Sequence, residues 1–114
     1  MNKNLEVAAA EYLKHIKADY VKYNESAKGS YGHDDKYWAE RNEAFQMTLE
    51  PGRKYIRVVR VDGSSRSVHS FLDLDGNIWK AAGWKAPALN HTRGNVFKPE
   101  TWSGITWTGP QYLR

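Results

Sequence analysis

The sequence predicts an α+β protein in which a long N-terminal helix packs on a small antiparallel β-meander. Two observations lead to this prediction. Apolar residues recur at intervals of three and four over residues 4–28, as they do on one side of a helix. After Pro51-Gly52, runs rich in β-branched and aromatic residues are separated by turn sequences. A chain of 114 residues has the length of one domain, so residues 1–114 are expected to fold together.

The first predicted element is the helix over residues 4–28, whose apolar stripe runs from Leu5 to Tyr23. Gly29 is its predicted end, because glycine commonly terminates helices. Residues 29–47 are expected to form a turn-rich connector with a short second helix. Asp34 or Asp35 would cap that helix at its N-terminus.

The remaining chain, residues 53–114, is expected to form the sheet, a ligand loop and an aromatic tail. The predicted strands are Lys54–Val61, Arg66–Asp73 and Ile78–Ala82. Alternation along the second strand places His69 and Phe71 on the same face. From Gly83 onward the alternation is lost, which indicates a structured loop. The tail, which begins near Thr101, has room for one more short strand at residues 105–108. The small domain is expected to have limited core to cover the apolar residues of the tail, which predicts that it oligomerises: Trp102, Ile105, Trp107, Tyr112 and Leu113.

Charge is unevenly distributed between the two halves of the chain. Residues 1–50 carry seven Lys/Arg and nine Asp/Glu, a net charge of −2, whereas residues 51–114 carry ten and four, a net charge of +6. Four of the five tryptophans also lie in the basic half. A basic, aromatic surface favours an anionic partner.

Several kinds of chemistry find little support in the sequence. The chain has no cysteine, and its four histidines lack metal-ligand spacing. Asp73–Asn77 resembles a calcium loop only superficially, and a β-turn is the better interpretation. No nucleophile motif is present. We therefore predict a binding protein with no catalytic residues, no metal and no cofactor.

The most informative cluster lies between Trp84 and Asn95. An indole can stack on a nucleobase, arginine can bind phosphate through two hydrogen bonds, and asparagine can read a base or ribose edge. The alternative is that Trp84 only plugs the open end of the sheet. The residues expected to contact the ligand are Arg57, Arg60, Arg66, His69, Trp84, Lys85, His91, Arg93, Asn95 and Arg114.

Part of the sequence resembles a family of small phage-encoded proteins. The resemblance covers roughly the last 60 residues and lies in Ser67-Val68-His69-Ser70-Phe71, in Asp73 to Gly76, in Lys80–Ala88, in Arg93-Gly94-Asn95 and in the ending Gly109–Arg114. The order of parts is similar to that of the first class of Thoeris anti-defence proteins. In that comparison Arg57 or Arg60, Trp84, Asn95 and Arg114 would hold the ligand. Asn95 would close the loop that follows Trp84.

The resemblance implies a function as well as a site. Proteins of this class act as sponges that sequester cyclic ADP-ribose isomers made by bacterial immune enzymes, and some bind cyclic oligonucleotides. They are oligomers and not enzymes. Two features depart from the family: the stretch Leu89–Thr92 is one residue longer than expected, and the acidic segment 29–47 has no counterpart.

We therefore expect a non-enzymatic phage anti-defence protein that binds a nucleotide-derived immune messenger. It would be a cytoplasmic homo-oligomer with no membrane association, since no signal peptide and no membrane-length apolar run is present. Two alternatives remain open at this point: a phage nucleic-acid-binding accessory protein that uses the same surface, and a structural phage component whose aromatic tail is an assembly surface.

Overall fold

The computed structural model, which describes residues 1–111, has one long helix lying on a five-stranded antiparallel sheet. This arrangement confirms the predicted α+β class. The helices are α1 (Lys3–Tyr31) and α2 (Asp35–Ala44), and the strands of the sheet are β1 (Phe45–Pro51), β2 (Tyr55–Asp62), β3 (Ser65–Asp73), β4 (Asn77–Ala81) and β5 (Pro87–Asn95).

Helix α1 is longer than the sequence predicted. Asn2 caps its first turn by accepting a hydrogen bond from the Leu5 backbone N–H at 2.8 Å. Its end lies at Gly32, whose φ of 66° is the left-handed conformation that glycine adopts readily, and not at Gly29. The predicted apolar stripe is confirmed as far as Tyr20, because its residues in contact with the sheet are nearly inaccessible: Leu5, Ala9, Tyr12, Ile16 and Tyr20. Its predicted last member, Tyr23, is 47 % exposed, and the neighbouring Asn24 is buried instead.

Helix α2 is held at both ends by side chains. Asp34 accepts a hydrogen bond from the Tyr37 N–H at 2.9 Å, which confirms the predicted cap. At the other end, the Lys17 ammonium donates to the carbonyls of Asn42 and Phe45. A cation at a helix C-terminus complements the helix dipole, so α1 fixes the position of α2 through Lys17.

Strand β1 was not predicted, because the sequence analysis assigned residues 29–47 to a connector and a short helix. The structure shows a strand from Phe45 that pairs with β2 at one edge of the sheet. Phe45, Met47 and Leu49 belong to or pack against the apolar cluster under α1. The alternate residues Gln46, Thr48 and Glu50 lie on the other face of the sheet.

The three predicted strands are confirmed as β2, β3 and β4, but the predicted ligand loop is largely a fifth strand. Residues Pro87–Asn95 pair with β4 and form the second edge of the sheet. Four of these nine residues are exposed, so the strand lacks the apolar alternation by which sequence analysis recognises strands. All five strands follow one another in chain order, so the sheet is a meander.

A β-bulge in β3 changes which way His69 faces. Val58 pairs with Ser70 and Val59 pairs with Val68, so His69 is the extra residue. The sequence predicted that His69 and Phe71 share one face. Instead, His69 lies with Ser70 under α1, whereas Phe71 faces away from the helix alongside Arg57.

His69 belongs to a buried polar network beneath α1. The Tyr12 hydroxyl is 2.8 Å from Ser70 Oγ, which is also 2.8 Å from His69 Nδ1. His69 Nε2 lies 2.8 Å from the Thr106 carbonyl oxygen. Each polar group therefore has a partner, as buried polar groups require. Burial lowers the pKa of His69 to about 4, so the ring is neutral at physiological pH.

The turn between β3 and β4 is organised by Asp73. Its carboxylate accepts hydrogen bonds from the Asp75 and Asn77 backbones, from the Asn77 side chain and from the Trp79 indole. Burial alone would raise the pKa of Asp73, but these hydrogen bonds outweigh it and lower the pKa below its ordinary value. Gly76 turns the chain with φ of 85°. The predicted β-turn is confirmed.

The residues after β5 fold back onto α1. A 3₁₀-helix (Pro99–Gly104) leads into a small hairpin of β6 (Ile105–Thr106) and β7 (Gly109–Pro110). Trp102 and Ile105 are buried in the main core, so the prediction that the tail aromatics lack a core to cover them is wrong for these two residues. Tyr112 and Leu113, also part of that prediction, lie outside the described residues.

Candidate functional site

The sheet face away from α1, here called the open face, carries Arg57, Phe71 and Trp79 side by side in register. Val59 and Phe71 are buried on this face, with 0 % and 3 % of their surfaces exposed, and neither belongs to the apolar cluster under α1. The open face therefore has a small apolar floor of its own, on which side chains from the strands and the β4–β5 turn are held.

Trp84 reaches the open face from the turn that connects β4 and β5. The turn is closed by hydrogen bonds from the N–H groups of Ala82 and Gly83 to the Ala86 carbonyl, at 3.0 and 3.4 Å. Arg57 Nε donates to the Trp84 carbonyl at 2.8 Å and ties the turn to β2. With 39 % of its surface exposed, Trp84 is neither a core plug nor a free side chain.

Two guanidinium groups lie over the Trp84 ring. The Arg57 Cζ atom is 4.5 Å from the ring centroid and the Arg66 Cζ atom is 5.4 Å from it, both within cation–π range. Arg57 is also 5.9 Å from the Phe71 ring. A cation–π contact orients a guanidinium without using its N–H donors, so the same group can also form hydrogen bonds.

Glu50 completes the site and was missed by the sequence analysis. It stands opposite Arg57 in the β1–β2 register, and its Oε1 accepts from Arg57 Nη1 at 3.1 Å. Its Oε2 pairs with Arg66. One carboxylate thus bridges both arginines. The alternation of Gln46, Thr48 and Glu50 with apolar residues was the sequence signal that could have placed Glu50 on the open face.

The structure brings together three of the predicted ligand contacts, namely Arg57, Arg66 and Trp84. Lys85, the next residue after Trp84, is exposed at the same turn. Between Arg57 and Arg60, which the sequence left as alternatives, only Arg57 lies at this site. The Arg60 guanidinium is on the α1 side of the sheet, 5.4 Å from the Trp107 ring.

The side chains of His69 and Asn95 form hydrogen bonds within the protein. His69 is 4 % exposed and lies under α1, on the opposite side of the sheet from Trp84. Asn95 pairs with Asn77 at the start of β4, so the length of β4 separates it from Trp84. Its carboxamide donates to Asp75 O and Asn77 Oδ1 and accepts from the Phe97 N–H. The prediction that Asn95 closes a loop over the ligand is therefore wrong.

The remaining predicted contacts are dispersed. His91 is exposed on edge strand β5. Arg93 neighbours Lys80, and this proximity adds to the effect of burial in lowering the pKa of Lys80. The Lys80 ammonium donates to the Pro110 carbonyl at 2.8 Å, which places this pair beside β7 and not beside Trp84. Arg114 lies outside the described residues.

Residues 1–111 contain neither a membrane-spanning helix nor a group of metal ligands. No helix in that part of the chain is both long and apolar enough to cross a membrane. No three His, Cys, Asp or Glu side chains of the described residues form a group suited to a metal ion.

Fold and site together define a small α+β protein with an arginine–tryptophan surface on the open face of a β-meander. The chain belongs to the family of unknown function DUF7717, which matches residues 1–113. No curated protein and no solved structure matches the chain.

Proposed function

We propose that this protein binds a nucleotide-derived anion on the open face and sequesters it without chemical conversion. The observation that carries the proposal is the half-exposed Trp84 ring held beside the guanidiniums of Arg57 and Arg66. A ring for stacking next to two cations is the combination that a base linked to phosphate requires. The resemblance to Thoeris anti-defence proteins supports the finer proposal that the ligand is an immune messenger, such as a cyclic ADP-ribose isomer.

Binding would replace an internal contact with an external one. A phosphate that enters between Arg57 and Arg66 takes the position of the Glu50 carboxylate, while the base stacks on the exposed part of Trp84. Because the arginines are held in place before binding, less side-chain entropy is lost when the ligand arrives. Lys85 adds a further positive charge at the same turn.

The side chains of this site favour binding over catalysis. Arginine and tryptophan supply charge, hydrogen bonds and stacking, but no nucleophile. The site consists of Arg57, Arg66, Trp84 and Glu50. Glu50 supplies its one carboxylate, which pairs with both arginines. Both oxygens of this carboxylate are already paired with guanidinium groups. The proposal therefore includes no enzymatic step. It also places the protein in the cytoplasm, where it would act as a homo-oligomer.

Calorimetric titration with a cyclic ADP-ribose isomer and with a cyclic dinucleotide tests the proposal. Replacing Trp84 with Ala should weaken binding by about tenfold to a hundredfold through lost stacking, and Trp84→Phe should weaken it less. Thermal melting of each variant shows whether it is still folded. A folded Trp84→Ala variant with unchanged affinity for every ligand that binds, or a wild-type protein that binds neither ligand, would overturn the proposal.

A matched pair of arginine variants adds specificity to this test. Arg57→Gln removes a guanidinium from the site, whereas Arg53→Gln removes one exposed positive charge from the β1–β2 connection. We expect the first to weaken binding and the second to leave it within about twofold, since exposed charges contribute little. Equal losses would mean that net charge alone attracts the ligand.

Nucleic-acid binding is distinguished by its salt dependence. A protein that contacts many phosphates loses affinity steeply as salt rises, whereas a site for one small anion shows a shallow slope. Titration of single-stranded DNA and of the cyclic ligands at several salt concentrations separates these cases. Tight, steeply salt-dependent DNA binding that Trp84→Ala abolishes would favour the nucleic-acid alternative.

A further inference from the structure

A cavity lies between the two helices, away from the arginine–tryptophan site. It has a volume of about 220 Å³. Its wall is formed by the second half of α1, the turn after it and one side of α2. The lining residues are Tyr23, Asn24, Ala27, His33, Tyr37, Trp38 and Arg41.

Aromatic rings form most of this cavity. His33 stacks on Tyr37 with centroids 3.8 Å apart and planes 22° apart. Trp38 meets both rings edge-on, at 6.0 Å from His33 and 5.0 Å from Tyr37. Tyr23 stands on the α1 side. The three rings contact one another, so a planar ring in the cavity would pack against this cluster and not between its members.

One cation lines the cavity, and its charge is not neutralised by a carboxylate. Arg41 Nε donates to Asn24 Oδ1 at 3.4 Å, a long hydrogen bond to a neutral amide. Among residues 1–111, no Asp or Glu oxygen forms an ion pair with Arg41. Asn24 is fully buried and donates to Asn42 at 2.6 Å, so the group that positions Arg41 is itself fixed.

The surroundings limit how much negative charge a ligand can carry. Residues 34–44 contain four carboxylates and two cations. This excess of negative charge repels polyphosphates, whereas one carboxylate can still pair with Arg41. A cationic ligand is disfavoured, because Arg41 itself lines the cavity.

We propose that this cavity binds a small aromatic monocarboxylate, with its ring against the cluster of His33, Tyr37 and Trp38 and its carboxylate on Arg41. A volume of about 220 Å³ is sufficient for one planar ring. The acidic segment 29–47, which the sequence left without a role, thereby forms one wall of a second, independent ligand site.

Benzoate is the probe that tests this proposal, with ¹H–¹⁵N chemical shifts of the full-length protein as the readout. We expect saturable shifts in residues 33–41 and in the Trp38 indole N–H. Cyclohexanecarboxylate has the charge without the flat ring, and benzyl alcohol has the ring without the charge. Both should bind at least about tenfold more weakly. Equal binding by either analogue, or no saturable shift with benzoate, overturns the proposal.

Variants on α2 locate the site. Arg41→Gln should weaken benzoate binding by about tenfold, because a charge-assisted hydrogen bond is lost. Tyr37→Leu, at a partly exposed position, should also weaken it, and Lys36→Gln on the exposed side is the matched control. Trp84→Ala should leave benzoate affinity unchanged, which separates this site from the proposed function. Unchanged affinity in folded Arg41→Gln and Tyr37→Leu overturns the proposal.

Discussion

At the residue scale, Glu50 acts as an internal ligand of the arginine–tryptophan site. Its carboxylate bridges Arg57 and Arg66. Under the proposed function, an anion that binds both guanidiniums would have to displace this carboxylate. The sequence places these residues 7 and 16 positions apart, and only the strand register brings them together.

We predict that Glu50→Gln raises the affinity for an anionic ligand of the open face. Removing the internal carboxylate leaves both guanidiniums without a competing charge, so affinity should increase by about threefold to tenfold. Calorimetric titration beside Glu43→Gln, an exposed change on α2, measures the effect. Weaker binding to Glu50→Gln than to Glu43→Gln would mean that Glu50 positions the arginines more than it competes for them.

His69 makes stability depend on pH in a defined range. Its pKa in the folded protein is about 4, whereas an unperturbed histidine has a pKa near 6.5. Protonation therefore favours the unfolded chain. The stability associated with a neutral His69 is fully present above pH 6.5 and falls as the pH drops to about 4.

Over that range, the free energy of unfolding should fall by about 3 kcal/mol in the wild type because of this residue. Urea unfolding at several pH values measures this fall in the wild type and in His69→Gln, which has no titratable group at this position. The other histidines titrate in both proteins, so the difference isolates His69. Parallel pH profiles for the two proteins would contradict the prediction.

At the element scale, Lys17 connects three parts of the fold. It lies on α1, and its ammonium donates to carbonyls at the end of α2 and at the start of β1. Burial lowers its pKa, and the nearby Glu43 and Asp62 act against that effect. A partly buried ammonium in this position is stabilised because its donors are used.

We predict that Lys17→Met lowers the free energy of unfolding by about 1–3 kcal/mol. Methionine retains the apolar stem but leaves the two carbonyls without their charged donor. Lys14→Met is the control, because Lys14 is exposed and pairs only with Glu11. Denaturant unfolding compares the two variants, and equal losses would show that the Lys17 contacts contribute nothing beyond a surface charge.

Elements with a one-sided apolar pattern were predictable, and those defined by pairing alone were not. Helix α1 and strands β2 to β4 carry their burial pattern in the sequence. Strand β5 exposes Asn90, His91 and Thr92, and it is a strand because β4 offers it a free edge. Strand β1 did have a readable alternation, from Phe45 to Glu50, which was attributed to a connector instead.

The same distinction explains which parts of the candidate site could be predicted from the sequence. Trp84 and the arginines were found because their chemistry is visible in the sequence. Which arginine meets Trp84 depends on strand faces, and the β3 bulge reversed the face of His69. Asn95 was misassigned because a turn-forming asparagine and a ligand-binding asparagine look alike in a sequence, and only its contacts with Asp75, Asn77 and Phe97 distinguish them.

At the scale of the whole molecule, apolar surface remains on one side of α1. Val7 and Phe97 are 60 % and 47 % exposed, and both line a groove of about 450 Å³ between α1 and the 3₁₀-helix. Trp102 forms the base of the groove. Contiguous apolar surface of this kind is typical of contacts between protein molecules.

We predict that the protein is a homo-oligomer and that this groove contributes to the contact. Light scattering at micromolar concentration should give a mass that is a multiple of 13.1 kDa. Val7→Glu should shift the mass towards one chain, whereas Glu11→Gln, which changes a charge in the same groove without adding apolar or repulsive groups, should not. A monomeric mass for the wild type would contradict the prediction.

The meander also determines the order in which this chain can fold as it is synthesised. Each strand pairs with the next one after a connection of two to five residues, so the sheet can assemble hairpin by hairpin. Helix α1 is made first, but some of its partners come last: the Trp107 N–H donates to Asp19 at 2.9 Å, across 88 positions. On the ribosome, the core beneath α1 therefore stays open until residues 102–107 have emerged from the exit tunnel.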